Sequence, residues 1–196
     1  GHRNRMVFGN TADGITEKQD KYRLIPGGED MPYLVRTLLR ATNQVETLNY
    51  FSYAKGVLRG DKQMHPFVID GQTRVAAAVC SSIISPQDYR DFARSGATVF
   101  TNSASLTIFK GSRLFAWQQK SLGKFMAVAN ARYFLQSANS ATAYAFSSNG
   151  QLLKEVRGRQ TALVTVRNNT QTTFYTMVGD WVPVAGGLIV LGWIVA

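Results

Sequence analysis

The stretch that decides the fold is Arg74-Val-Ala-Ala-Ala-Val-Cys80, and Ser81-Ser-Ile-Ile-Ser-Pro86 follows it directly. Its apolar run, from Val75 to Val79, is typical of a buried strand. Ser85 and Pro86 predict the start of a helix, because serine is favoured at the N-cap and proline at the first helical position. The sequence therefore predicts a strand and a helix joined by a turn, with the only cysteine of the chain at that turn.

Outside this stretch, hydrophobic patterns and turn residues predict a mixture of helices and strands. Helices are predicted at about 32–40, 86–94 and 114–131, with Asp30 capping the first and Gly96 ending the second. Strands are predicted at 3–8, 67–69, 73–79, 97–101, 133–136, 142–147, 152–156, 161–166 and 172–177. Irregular chain is predicted from Ile15 to the Pro-Gly-Gly loop, at 42–64 and at 102–111. This mixture indicates an α+β layered domain.

The composition fits one domain of strongly basic character. The 196 residues are 45% hydrophobic, and 22 Lys and Arg against 12 Asp and Glu give a formal net charge of +10. Such a charge suits nucleic acid or anionic lipid. The basic residues are scattered, however, and no zinc-finger or RNP-like pattern is present, so nucleic acid is disfavoured. His2 and His65 lie far apart with no carboxylate pattern around them, so no metal site is predicted.

The last residues form an uncharged apolar tail from Val182 to Ala196. It is either a buried C-terminal element or the beginning of a membrane helix. Trp181 and the Gly-Gly pair inside the tail favour the membrane helix. Apolar side chains in the predicted loops then either face lipid or pack at the edge of the core: Tyr50, Phe51, Tyr53, Leu106, Ile108 and Phe109.

Cys80 is a candidate nucleophile on its position alone. A thiol at a strand-to-helix turn lies near the positive end of a helix dipole, which favours the reactive thiolate. A lone cysteine is nevertheless often a small buried hydrophobic residue. Taken singly, Lys21 fits a surface lysine, and Glu29 fits a solvated loop residue or a charge at a helix N-terminus. A role in a reactive site and an ordinary structural role therefore both stay open for these residues.

Four short motifs, taken in order, carry a resemblance to a known family. They are Lys21-Tyr-Arg-Leu-Ile-Pro-Gly-Gly-Glu29, Ala78-Val-Cys-Ser-Ser82, Thr101-Asn-Ser-Ala-Ser105 and Trp117-Gln118. With the apolar tail after them, they resemble the carbon–nitrogen hydrolase (nitrilase) superfamily, and most of all its bacterial apolipoprotein N-acyltransferases. That branch typically reads Lys-x-x-Leu-Val-Pro-Phe-Gly-Glu, Ala-Ile-Cys-Tyr-Glu, Ser-Asn-Asp-Ala-Trp-Phe and Trp-Gln before a last transmembrane helix.

The resemblance implies part of a four-layer αββα nitrilase-type sandwich. Residues 1–180 are then the C-terminal part of the domain, and 181–196 start a transmembrane helix. Cys80 is implied as the nucleophile, Lys21 as its electrostatic partner and Glu29 as a second glutamate that supports the site. No cofactor is implied.

The implied reaction moves a phospholipid acyl chain, through a cysteine thioester, to the N-terminal amine of a diacylglyceryl-cysteine lipoprotein. The implied partners are therefore a phospholipid acyl donor, a lipoprotein acceptor and the membrane. The implied location is the cytoplasmic (inner) membrane, with the catalytic domain on its extracytoplasmic side. We expect a monomer.

The resemblance also places the family's general-base glutamate well before its lysine. We therefore expect that residue upstream of Gly1, and we expect this stretch alone to be inactive. Three departures from the branch stand out: Ser81-Ser82 in place of Tyr-Glu, Ser105 in place of tryptophan, and Ala129 in place of glutamate. They leave two alternatives open, a soluble nitrilase-family amidase and a non-catalytic relative.

Overall fold

The computed structural model describes residues 2–50, 57–61, 65–109 and 111–195. Its main body is a six-stranded sheet with helices packed against it, together with a separate two-stranded hairpin. The strands are β1 (Arg5–Asn10), β2 (Gly14–Asp20), β3 (Phe67–Val68), β4 (Arg74–Val79), β5 (Val99–Ser105), β6 (Tyr133–Asn139), β7 (Ala143–Phe146) and β8 (Leu152–Val156). The α-helices are α1 (Tyr33–Ala41), α2 (Val45–Tyr50), α3 (Pro86–Arg94), α4 (Arg113–Ala129), α5 (Phe174–Val178) and α6 (Trp181–Val195), and 3₁₀ helices span Cys80–Ile84 and Thr107–Phe109.

The order of strands in the sheet brings the ends of three strands to the same edge. The order is β3-β4-β5-β6-β7-β8, in which β4, β5 and β6 are parallel and the remaining pairs are antiparallel. Parallel neighbours need crossover connections, which α3 provides between β4 and β5 and α4 between β5 and β6. The carboxyl ends of β4, β5 and β6 therefore meet at the same edge of the sheet, where Cys80 follows β4.

The core lies between the sheet and the two crossover helices. Its buried members include Ala76, Ala78, Ile83, Phe92, Ala93, Met126, Ala127 and Phe146. The ring of Tyr89 on α3 packs 5.2 Å from that of Phe100 and 5.6 Å from that of Phe134, measured between centroids. Helix α4 approaches closely at Gly123, where an added Cβ would lie 2.8 Å from the Tyr144 ring. Alanine and glycine thus make room for the aromatic rings.

A buried arginine joins the opposite, amino-terminal ends of β5 and β6. Arg132 is 2% exposed and donates hydrogen bonds to the carbonyl oxygens of Ala97, Asn130, Ala131 and Gln171. Burial lowers the pKa of this guanidinium. The planar group has five N–H donors, so it can satisfy several carbonyls that the strands leave free at their starts.

Helix α6 is apolar on all sides and exposed. Its residues carry no charge, and the exposed fractions of Leu188, Ile189 and Trp193 are 65%, 68% and 87%. The Trp181 ring packs edge-on against Phe174, with 5.9 Å between their centroids. In the part of the chain that the structure describes, no helix has both the length and the apolar character to cross a membrane. The start of a transmembrane helix at 181–196 therefore stays a prediction.

The predicted α+β class is confirmed. Within the described residues, one sheet layer and one helical layer of the implied αββα sandwich are present. The bounds of α3 and β8 agree with those predicted, and α1, α4, β4, β6 and β7 begin or end within a few residues of the prediction.

Several local predictions were wrong. Residues 14–20 form β2, 45–50 form α2, and 102–105 extend β5. Residues 161–166 form no strand, and the predicted strand at 172–177 is replaced by α5, which the Thr173 hydroxyl caps through the Thr176 amide. Asp30 does not cap α1, whose N-cap position is Pro32.

Candidate active site

Cys80 lies where the chain turns sharply out of the sheet. It directly follows β4 and is the first residue of a 3₁₀ helix, with a φ of +51°. Residues that carry a Cβ seldom adopt this left-handed conformation. The cysteine is half-buried. One expectation was wrong here: the 3₁₀ helix separates Cys80 from the start of α3, so the thiol is not at the N-terminus of that helix.

Lys21 extends from the end of β2 to the residue that follows Cys80. Its side chain is 0% exposed. The Nζ atom lies 2.5 Å from Oε2 of Glu29 and 2.5 Å from Oγ of Ser81. The structure thus brings an ammonium group to the residue adjacent to the cysteine. A charge this well shielded from water acts over short distances with little screening.

Glu29 holds the lysine in place with a carboxylate that accepts three hydrogen bonds. Besides Lys21, it accepts a hydrogen bond from Nδ2 of Asn4 at 2.5 Å and one from the amide of Ile25 at 2.9 Å. The Lys21 amide in turn donates to the carbonyl of Asn4 at 2.8 Å. The amide contact from Ile25 closes the Pro-Gly-Gly loop back on Glu29, which is how the loop positions the carboxylate.

A second ion pair links the loop after Lys21 to α3. Nε of Arg23 lies 2.5 Å from Oδ1 of Asp88, whose side chain is 4% exposed. Burial raises the pKa of the Asp88 carboxyl, and Arg23 opposes that shift without cancelling it. This pair and the contact between Lys21 and Ser81 hold the loop against the two segments that follow Cys80.

Two contributors to this site were missed by the sequence reasoning. Ser81 was treated only as a loss of the tyrosine usual at that position, yet its hydroxyl accepts from Lys21. Asn102, fully buried on β5, donates from Nδ2 to the Cys80 carbonyl at 3.3 Å. Both residues belong to motifs that carry the resemblance, but the contacts themselves could not be foreseen, since 60 and 22 residues separate the partners.

A cavity of about 910 Å³ opens beyond the ends of β5 and β6. It is bounded by the loops that follow these strands and by the chain after β8, and its lining includes Phe109, Phe115, Ser140, Arg157 and Arg159. It lies at the edge of the sheet that carries Cys80.

The loop side chains predicted to face lipid or the core edge behave differently from one another. Tyr50 is 64% exposed, whereas Leu106 is 5% exposed and belongs to the core edge. Phe109 is half-buried. Phe51 and Tyr53, like the side chain of Ile108, lie outside the described residues.

Of the positions where the chain departs from the branch, Ser82 is buried and Ser105 is exposed. Ala129 is the last residue of α4, and its carbonyl accepts from the Thr173 hydroxyl. Of the four residues in these three departures, Ser82, Ser105 and Ala129 thus have an ordinary structural place, and Ser81 contacts Lys21.

Comparisons with known proteins agree with this fold. A sequence model of the family described as carbon-nitrogen hydrolase matches residues 3–173. A carbon-nitrogen hydrolase from Helicobacter pylori superposes with a TM-score of 0.57 at 14% identity, over 79% of this chain and 53% of that one. Nit3 of Saccharomyces cerevisiae, a member of branch 10 of the nitrilase superfamily, gives a TM-score of 0.53 at 14% identity over 79% and 49%.

An amidase from Nesterenkonia sp. aligns with a TM-score of 0.49 at 15% identity, over 73% of this chain and 46% of that one. The chain thus spans about half of the length of the solved structures it matches. A search among curated proteins gave no match. The chain belongs to the carbon–nitrogen hydrolase family.

Proposed function

We propose that Cys80 is the nucleophile of an acyl-transfer reaction, with Lys21 as its electrostatic partner and Glu29 as the residue that holds Lys21. The observation that carries this proposal is the fully buried Lys21 ammonium, placed between the Glu29 carboxylate and the residue after Cys80. A buried cation beside the residue that follows the nucleophile can stabilise negative charge on the carbonyl oxygen that the nucleophile attacks.

The reaction divides into two steps that share one intermediate. In the first, the Cys80 thiolate attacks the acyl carbonyl of the donor, and a thioester forms as the donor oxygen leaves with a proton. In the second, an amine attacks the thioester, an amide forms, and the thiolate is released while the amine loses a proton. The Lys21 ammonium stabilises the oxyanion of both tetrahedral intermediates. A general base must accept the thiol proton, and the resemblance gives this role to a glutamate that precedes the lysine in the family.

We infer that the reaction is that of an apolipoprotein N-acyltransferase, in which a phospholipid ester donates and a lipoprotein amine accepts. The exposed apolar helix α6 supports this choice, since a lipid environment would cover side chains that water meets unfavourably. The alternative is an amidase that cleaves a small amide and passes the acyl group to water. Membership of a hydrolase family favours that alternative. Both use the same cysteine and lysine.

The proposal is tested by trapping the thioester in the protein that contains this chain. Purified protein in detergent is mixed with a phospholipid donor or with a small amide, quenched in acid, and analysed by mass spectrometry of the Cys80 peptide. We expect an acyl group from the phospholipid on Cys80, and none in the Cys80→Ala variant. Full turnover by Cys80→Ala would rule out the mechanism, and acylation by the small amide alone would select the amidase.

The role of Lys21 is tested with Lys21→Met. We expect the acylation rate to fall by a factor of about 10²–10³, the usual effect of removing one oxyanion-stabilising group. Lys120→Met is the matched control, because Lys120 of α4 forms its ion pair with Glu155 of β8, and its side chain is 33% exposed. An equal loss in both variants would show that Lys21 has no special role. A protein that never acylates, with either donor, would be the non-catalytic relative.

A further inference from the structure

The backbone of Cys80 needs contacts that hold it. With a φ of +51°, the residue is in a region where its Cβ crowds the adjoining carbonyl. Such a conformation persists only where the surroundings impose it. The residue before, Val79, is ordinary extended chain with φ −122° and ψ 126°. The turn is therefore made at Cys80 itself, and whatever fixes the carbonyl of Cys80 also fixes the direction of its thiol.

Asn102 is the residue that contacts this carbonyl. It is 0% exposed on β5, next to β4, in register with Ala78. Its side-chain Nδ2 lies 3.3 Å from the Cys80 carbonyl oxygen and 2.9 Å from Oε1 of Gln136. An amide nitrogen has two hydrogens, so one can go to each acceptor.

Gln136 fixes Asn102 from the next strand. The two residues are in register on the parallel strands β5 and β6, and Gln136 is 3% exposed. The Gln136 amide nitrogen donates to the carbonyl of Ser137 at 3.2 Å, so its oxygen stays turned toward Asn102. A chain of two buried amides therefore runs from β6 across β5 to the turn after β4.

We propose that Asn102, held by Gln136, is a positioning residue for the nucleophile. It acts through the backbone of Cys80 and touches no substrate. By anchoring the carbonyl, it keeps the left-handed turn closed, aims the thiol out of the sheet edge, and keeps Ser81 within reach of Lys21. The inference rests on the proposed function, because it gives a purpose to the turn only if Cys80 is the nucleophile.

The test measures the reactivity of Cys80 without relying on the substrate. The rate constant of alkylation by iodoacetamide is followed at the Cys80 peptide in the native protein and in urea-denatured protein. Asn102→Leu removes the donor with little change of volume. Thr101→Val is the matched control, because Thr101 also donates from β5 to a β4 carbonyl, that of Ala76 at 3.2 Å, but away from the turn.

We expect the native protein to react faster than the denatured one. Asn102→Leu should slow the native reaction about tenfold, with a single phase of full amplitude, as for the loss of one hydrogen bond at the reacting group. Thr101→Val should stay within about twofold of the unchanged protein. Gln136→Met, which leaves Asn102 in place but unanchored, should slow the reaction about threefold.

The outcomes separate this inference from the proposed function. Native protein that reacts no faster than denatured protein would contradict the nucleophile itself. Fast native protein with Asn102→Leu equal to Thr101→Val would overturn the positioning role alone. An alkylation rate constant that is unchanged in Asn102→Leu, with a smaller fraction of the protein reacting at that rate, would overturn it too. Asn102 would then contribute only to folding. Where Asn102→Leu does not fold, Gln136→Met decides, and a rate equal to that of the unchanged protein overturns the inference.

Discussion

Removal of the Glu29 carboxylate should destabilise the protein more than removal of the lysine it holds. In Glu29→Gln, the Lys21 ammonium stays buried at 0% exposure and keeps the Ser81 hydroxyl as an acceptor. The new amide nitrogen, however, is itself a donor and replaces an oxygen to which neighbouring groups donate. Breaking a buried ion pair from one side costs about 3–5 kcal/mol. Ser81 and one remaining amide oxygen offset part of that cost, so we expect a loss of about 3 kcal/mol.

Lys21→Met should cost less. The variant removes the buried charge and replaces it with an apolar side chain of similar length. Glu29 keeps its hydrogen bonds from Asn4 and Ile25, and its side chain is 13% exposed, so water can reach it. We expect a loss of about 1 kcal/mol, in line with one net hydrogen bond. The double variant should then lose about 1–2 kcal/mol, which leaves a coupling energy of about 2–3 kcal/mol between the partners.

Urea unfolding followed by circular dichroism gives these free energies by linear extrapolation. Glu155→Gln is the surface control, because its partner Lys120 is 33% exposed and exposed pairs contribute about 0–1 kcal/mol. A loss below 1 kcal/mol in Glu29→Gln, or equal losses in Glu29→Gln and Glu155→Gln, would refute the reasoning. The ion pair between Lys21 and Glu29 would then be neither shielded from water nor energetically coupled.

Three further predictions concern the core and the hairpin. Gly123→Ala should cost about 1–3 kcal/mol in urea unfolding, because its Cβ would lie 2.8 Å from the Tyr144 ring; an unchanged midpoint would contradict the close packing of α4. Tyr89→Phe should be neutral or stabilise by up to about 1 kcal/mol, since within the described residues the buried hydroxyl has no hydrogen-bond partner; a clear loss would contradict this. The pKa of Asp20 is lowered from 3.8 to about 2, mainly because its carboxylate accepts hydrogen bonds from Arg5. The ionised carboxylate should therefore stabilise the folded protein fully above pH 3.8, and this stabilisation should disappear as the pH falls through 2. Acid titration of the unchanged protein against Asp20→Asn measures this, and equal acid sensitivity would contradict it.

The sequence was informative where local chemistry determines the local structure. The apolar run of β4, the Ser-Pro start of α3 and the glycine after α3 predicted these elements, because strand burial and helix ends depend on neighbouring residues. The predicted strand at 172–177 was wrong for the opposite reason. Its aromatic and β-branched residues favour a strand, but Arg90 of α3 donates to the carbonyls of Thr176 and Met177 and stabilises α5 through tertiary contact.

The candidate site was predictable only in its parts. The resemblance pointed to Cys80, Lys21 and Glu29, and the structure places Lys21 and Glu29 in contact, next to the residue after Cys80. The remaining contacts join residues far apart in the chain, as between Asn102 and the Cys80 carbonyl. Only the parallel pairing of β4 with β5 brings such partners together, and register between distant strands leaves no trace in a single sequence.

The two ends of the parallel strands differ in what they can tolerate during evolution. At their starts, the guanidinium of Arg132 donates to four carbonyls: those of Ala97, of the consecutive residues Asn130 and Ala131, and of Gln171. Any insertion there must preserve all of these distances at once. At their carboxyl ends, β5 and β6 continue into loops that line the cavity. The lengths and side chains of these loops can therefore vary without disturbing the sheet. We therefore expect relatives that transfer different acyl groups to differ in sequence at the carboxyl ends of these strands and to keep the amino-terminal ends unchanged.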